Sequence, residues 1–117
     1  MVYKATITGC GEMVGEMLEH GMMILFDENA PPELAELSVL HTHAELQRNP
    51  APGDILAIGS AEYTITAVGE EASKTLRTMG HCSLVFHGKA EVDLPGQIAL
   101  KGKGLPKINI GDVIEIK

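Results

Sequence analysis

The chain has 117 residues, enough for one domain with an ordinary hydrophobic core and no need of disulfides. Nine basic against sixteen acidic residues leave a formal charge of −7, which sets the surface against nucleic acid and anionic lipid. With no Trp and few aromatics, a stacking platform for bases or sugars is excluded as well.

Residues 2–8 (VYKATIT) carry the β-branched content and rough alternation of a strand, which Gly9 and Gly11 break. A short helix is expected over 12–19, with Met13, Met17 and Leu18 on one side, although Gly15 weakens it. Residues 22–26 read as a buried strand. Their run is far shorter than the ~20 residues that cross a bilayer. Pro31 and Pro32 begin a single helical turn through Leu37, and 38–46 reads as a strand. A tight reversal over 49–53 leads into a hairpin of strands 54–58 and 63–68, joined near Gly59 and Ser60. The best helix covers 70–79, with Ala72, Leu76 and Met79 at helical spacing and Gly80 closing it. Strands follow at 82–86, 97–100 and 113–116, with turns at Pro95-Gly96 and over 109–112.

Turn signals thus recur about every ten residues around one convincing helix. The expected class is all-β: a closed or nearly closed small β-barrel, one domain over 1–117, with one or two short helices. No internal repeat or linker is visible. Cys10 and Cys82 match no metal or redox spacing and are expected as buried, reduced thiols. The N-terminus lacks the basic-then-apolar pattern of a secretory signal, so a cytoplasmic setting is expected.

The chemistry lies in Val39-Leu40-His41-Thr42-His43-Ala44-Glu45. On an extended strand, residues two apart share a face and stand ~6.6 Å apart. His41, His43 and Glu45 are then expected together, with Leu40, Thr42 and Ala44 opposite. Three readings stay open on the residues alone. The histidines satisfy hydrogen bonds and nothing more; or they hold zinc or iron with Glu45 or His81 as a third ligand; or one accepts a phosphoryl group with help from the other. The last needs a neutral ring with one nitrogen free as nucleophile and the other donating to a fixed acceptor. His81, just after the helix, is a possible supporting residue. His20 and His87 sit beside glycines and read as exposed loop residues, and Met13, Met17, Met22 and Met23 as core. No nucleotide or dinucleotide fingerprint, and no nucleophile elbow, is present, and no cofactor is implied.

Taken together these stretches resemble the glucitol/sorbitol-specific IIA component of the bacterial sugar phosphotransferase system. The likeness runs through 3–9, Ile24 to Phe26 with Ala30-Pro31 and Leu34, and His41-Thr42-His43-Ala44-Glu45-Leu46. It continues through Pro52-Gly53, Thr66-Ala67-Val68-Gly69, Gly80-His81, Pro95-Gly96 and Gly111-Asp112. The resemblance implies a cytoplasmic β-barrel phosphocarrier that accepts a phosphoryl group on histidine from HPr. It then passes the group to the IIB part of the same transporter, with the IIC part as a further partner. The resemblance also implies that the first histidine, His41, is the acceptor; on chemical grounds His43 and His81 support it, and Nε2 is the expected nitrogen. Eight carboxylates and no lysine or arginine lie over 11–47, so a basic donor surface and a salt-sensitive interface below about 1,200 Å² are expected.

Overall fold

Alternation along the first strand, β1 (Tyr3–Cys10), turns Tyr3, Ala5 and Ile7 inward and Lys4, Thr6 and Thr8 to solvent. In the computed structural model, which describes residues 1–117, the remaining elements follow in order. They are α1 (Val14–Glu19), β2 (Met22–Asp27), α2 (Pro32–Ala35), β3 (Ser38–His41), β4 (Ile55–Ile58), β5 (Ala61–Val68), α3 (Ala72–Met79), β6 (Cys82–Val85), β7 (Gln97–Lys101) and β8 (Val113–Ile116). The strands close into a barrel in the order β1-β3-β2-β6-β7-β5-β4-β8, with β8 returning to β1. Two neighbouring pairs, β2 with β3 and β6 with β7, are parallel, and the rest are antiparallel. Closure leaves no free sheet edge. The interior is aliphatic, filled by Leu25, Val39, Leu56, Ile65, Leu84, Ile98, Leu100 and Ile114 among others.

The barrel is made of two like halves. β1, α1, β2, β3 and β4 correspond in order, pairing and direction to β5, α3, β6, β7 and β8. The registers match residue by residue. Ile7 faces His41, Gly9 faces Leu40 and Cys10 faces Val39 across a bulge; in the second half Ile65 faces Leu100, Ala67 faces Ala99 and Val68 faces Ile98 across the same bulge. Gly53 and Gly111 share a φ of +98°, and each donates its N–H to the opposite half, Gly53 to Ile65 and Gly111 to Ile7. The sequence carries the trace as Thr6-Ile7-Thr8 with Gly11-Glu12, and Thr64-Ile65-Thr66 with Gly69-Glu70. The expectation of no internal repeat is therefore corrected: each half supplies strands that the other must cap, so the unit is legible mainly as pairing.

Three further expectations change. The strand expected over 38–46 stops at His41, because Thr42 leaves the ladder and instead bonds Thr6 twice. Its N–H donates to the Thr6 carbonyl (2.9 Å), and its hydroxyl accepts the Thr6 N–H (3.0 Å). Cys10 is exposed at the end of β1, while Cys82 is buried as expected. Of the four methionines read as core, Met23 is buried, Met17 and Met22 are half-buried, and Met13 is exposed.

Candidate functional site

The site forms where β2 and β3 end side by side. Their parallel register sets Asp27 opposite His41, and the chain beyond β3 then carries His43 back over Asp27. From the other side comes the C-terminus of α3. Its cap, Gly80, adopts the left-handed conformation (φ +60°), and a Cβ there would lie 2.6 Å from Cε1 of His41 and 3.0 Å from Cβ of Asp27. Only glycine suits both the dihedral and the approach.

His41 and His43 do not share a face. His41 points into the barrel and is completely buried, while Leu40 is half-buried. His43 is exposed, its side chain 55% accessible. The reason lies in Thr42: once the ladder ends, the two-residue alternation that would have aligned the rings no longer applies.

The His41 ring is held at both nitrogens. Nδ1 lies 2.8 Å from the Thr42 carbonyl and Nε2 lies 2.8 Å from the Gly80 carbonyl. Both partners are acceptors, whereas a neutral imidazole has a single N–H to donate. The Tyr3 ring meets it edge-on, with centroids 6.0 Å apart. The Tyr3 hydroxyl is buried without a hydrogen-bond partner. Burial, with Cys82 and Asp27 nearby, pushes that phenol well above its ordinary value.

His43 is arranged differently. Its Nδ1 lies 3.1 Å from Oδ2 of Asp27, a carboxylate only 7% accessible, whose other oxygen accepts the Asn29 N–H at 3.0 Å. Because the carboxylate only accepts, Nδ1 carries the proton, which leaves the Nε2 lone pair of the neutral ring unbound. His43 borders a cleft of about 480 Å³ that Tyr3, Lys4, Glu45 and Gln47 also line. Lys4 brings a cationic side chain to that lining.

The expectation of a reachable His41 ring is thus corrected, for the exposed ring is His43, and the carboxylate at its Nδ1 is Asp27, which the sequence reading did not single out. The signal that finds it is the parallel pairing of β2 with β3, and that needs the fold. His81 donates from Nδ1 to the Leu25 carbonyl (3.0 Å) and stacks on Phe26 at 4.6 Å, with no hydrogen bond to either histidine of the pair. His20 and His87 are exposed, as expected. The metal reading loses its geometry, since no three His, Cys, Asp or Glu side chains converge.

A family model described as the PTS system glucitol/sorbitol-specific IIA component matches residues 2–115. The chain is 35% identical over 117 residues to the PTS system glucitol/sorbitol-specific EIIA components of Shigella flexneri and of Escherichia coli (strain K12). Each alignment covers 100% of this chain and 95% of the relative. The crystal structure of the PTS system IIA component from Enterococcus faecalis V583 superposes with a TM-score of 0.82 at 32% identity, over 96% of this chain and 97% of that one.

Proposed function

Since the chain belongs to the glucitol/sorbitol-specific IIA family of the phosphotransferase system, we propose that this phosphocarrier receives its phosphoryl group from HPr and yields it to the IIB component of a glucitol/sorbitol transporter. The domain spans 1–117 and works in the cytoplasm, beside the membrane-borne IIC part; no helix of its own is long and apolar enough to cross a membrane.

The acceptor is Nε2 of His43. One observation carries this assignment: His43 is the histidine of the pair that combines an accessible ring, a free Nε2 and a carboxylate at Nδ1. In the transfer, the Nε2 lone pair attacks phosphorus as the N–P bond of the donor's phosphohistidine breaks, and the donor nitrogen recovers its electron pair. No proton has to be supplied. The product ring, protonated at Nδ1 and phosphorylated at Nε2, is cationic, and Asp27 faces that charge. Lys4, which lines the same cleft, offsets the charge of the phosphoryl oxygens in a chain that is otherwise acidic here.

A second reading keeps the acceptor at His41, as the family resemblance implies. It is favoured by the two carbonyls at the ring's nitrogens: a neutral His41 leaves one of these contacts without a proton, and swinging outward would relieve it. Phosphorylation by a phosphoenolpyruvate-driven donor system, followed by site mapping under alkaline conditions, separates the two. One acid-labile, base-stable phosphate on His43, lost in H43A and retained in H41L, is expected. Phosphate on His41 in the unaltered protein establishes the second reading instead.

A further inference from the structure

We propose that the barrel end opposite the histidines is a dimer face, on which a second copy of this chain docks about a two-fold axis. It is independent of which histidine takes the phosphoryl group, since neither lies on that face.

Strand directions locate the face. β2 and β6 run antiparallel, and each is parallel to its other neighbour, β3 or β7. The chain therefore leaves β3 toward His43 at one end of the barrel and leaves β7 toward Gly102 at the other. Residues 102–112, which lead from β7 to β8, lie at that second end over the arc β7-β5-β4-β8. α1 leads from β1 to β2 and α2 precedes β3, so both stand at the same end by the remaining arc, β1-β3-β2. Hydrogen bonds tie these two segments together: the Gly11 N–H donates to the Ser38 carbonyl and the Met13 N–H to the Glu36 carbonyl, each at 3.0 Å.

Charge divides along the same line. The loop arc carries Lys101, Lys103 and Lys107, and the helical arc carries Glu12, Glu16, Glu19 and Glu36, all of them exposed. None of these side chains is in an ion pair within the chain. On the loop side, Glu62 is taken by Lys117 (3.0 Å) and Asp112 by the Asn109 amide (3.3 Å). Apolar side chains are exposed on both arcs, Met13 and Leu34 beside the helices, Leu105 (47%) and Ile110 (70%) on the loop.

A surface with unpaired charge of both signs beside exposed apolar groups is complementary to itself. A two-fold axis lying in the face, along the border between the arcs, lays each loop on the other copy's helices. Opposite charges then meet twice, and the apolar side chains leave water. An acidic or a basic partner protein would suit one arc and be repelled by the other, which favours a second copy. The protein measures 32 × 29 × 26 Å, so one end offers on the order of 600 Å² and two ends about 1,200 Å², the lower bound of specific interfaces. A micromolar dissociation constant is expected at that size. The histidine ends point outward from both copies and stay open to the proteins that exchange phosphate with them.

Sedimentation equilibrium on the full chain measures the association, with thermal unfolding to establish that each variant is folded. The unaltered protein should show a monomer–dimer equilibrium whose dissociation constant rises with salt. K103E/K107E in the loop and E12K/E16K on the helical side should each raise that constant by about tenfold or more, because every substitution acts twice across the axis. An equimolar mixture of the two variants should form a heterodimer with its affinity regained, since both contacts again pair opposite charges. A protein that stays monomeric at millimolar concentration overturns the proposal, as does a dimer whose affinity neither variant changes. A mixture that associates no more tightly than its separate components overturns it as well. If the unaltered chain is monomeric and the loop variant slows phosphate delivery to membranes bearing the IIB and IIC components, the face belongs to the transporter and the dimer is excluded.

Discussion

His41 and Leu100 occupy equivalent places in the two halves of the barrel, and both are completely buried. Full burial of an aliphatic side chain contributes ~1.5–3 kcal/mol, so the frame at this point is built for a core residue. His41 fills it with each ring nitrogen 2.8 Å from a carbonyl, that of Thr42 or that of Gly80. H41L should therefore fold. It removes the ring N–H that one of these carbonyls accepts, and the expected loss is about 1–3 kcal/mol, lowering the thermal midpoint without removing phosphate uptake. H43A, at an exposed ring, should change stability by less than about 0.5 kcal/mol and abolish uptake. Unfolding curves and the phosphorylation assay on the two variants check both halves of this contrast.

Gly80 closes α3 over the site, and a methyl group there meets Cε1 of His41 at 2.6 Å in a left-handed backbone. G80A is expected to lose about 1–3 kcal/mol, and to slow phosphate uptake as well, because Asp27 lies against the same Cα. A variant with unaltered melting would show that the α3 terminus is free to retreat.

Lys4 borders the cleft beside His43. Reversing its charge in K4E should reduce the second-order rate of phosphate uptake by about tenfold at low ionic strength, with the deficit closing as salt rises. A deficit that persists at high salt would mean that Lys4 acts by contact rather than by its field.

Asp54 receives two hydrogen bonds from Arg48, each of 2.9 Å, and a third from the Ala51 N–H. The Arg48 guanidinium, then the Ala51 N–H, hold its carboxyl below the ordinary value of 3.8. A carboxylate whose value is depressed by folding contributes stability that is complete above its ordinary value and is lost as pH falls through the depressed one. D54N should cost about 0.5–1 kcal/mol near neutrality and flatten the acid arm of the stability profile. Denaturant titrations between neutral pH and strongly acidic pH would measure this, and parallel profiles for the two proteins would exclude it.

Burial pushes the Cys82 thiol up to about 12, whereas Cys10 lies exposed at the end of β1 with its value raised less by partial burial. A thiol-modifying disulfide reagent at mildly alkaline pH should titrate one sulfhydryl in the folded protein and two in denaturant. Two in the folded state would mean that the barrel opens at β6 on the timescale of the reaction.

Much of the frame was legible in the residues alone. Alternation in β1 and β5, glycines and prolines at the turns, and the helical spacing of Ala72 and Leu76 are local signals, and the elements they predict are present. The repeat was not legible, because identity between the halves is concentrated in Thr-Ile-Thr and Gly-Glu, while the likeness itself resides in registers. Nor was the direction of the two histidines. Strand periodicity places His41 beside His43 only as long as the strand continues, and its end is set by a Thr42–Thr6 contact between residues 36 positions apart.

The order of residues was thus enough to specify a β-barrel and to mark His-x-His as the candidate segment for the chemistry, since turn chemistry, alternation and imidazole chemistry are properties of neighbours in the chain. Which ring is buried, which is open, and that a carboxylate at position 27 stands beside the open one were decided by closure of the barrel. Closure brings the ends of β2 and β3 and the cap of α3 together, and burial and hydrogen-bond direction are settled only where separate stretches of chain meet.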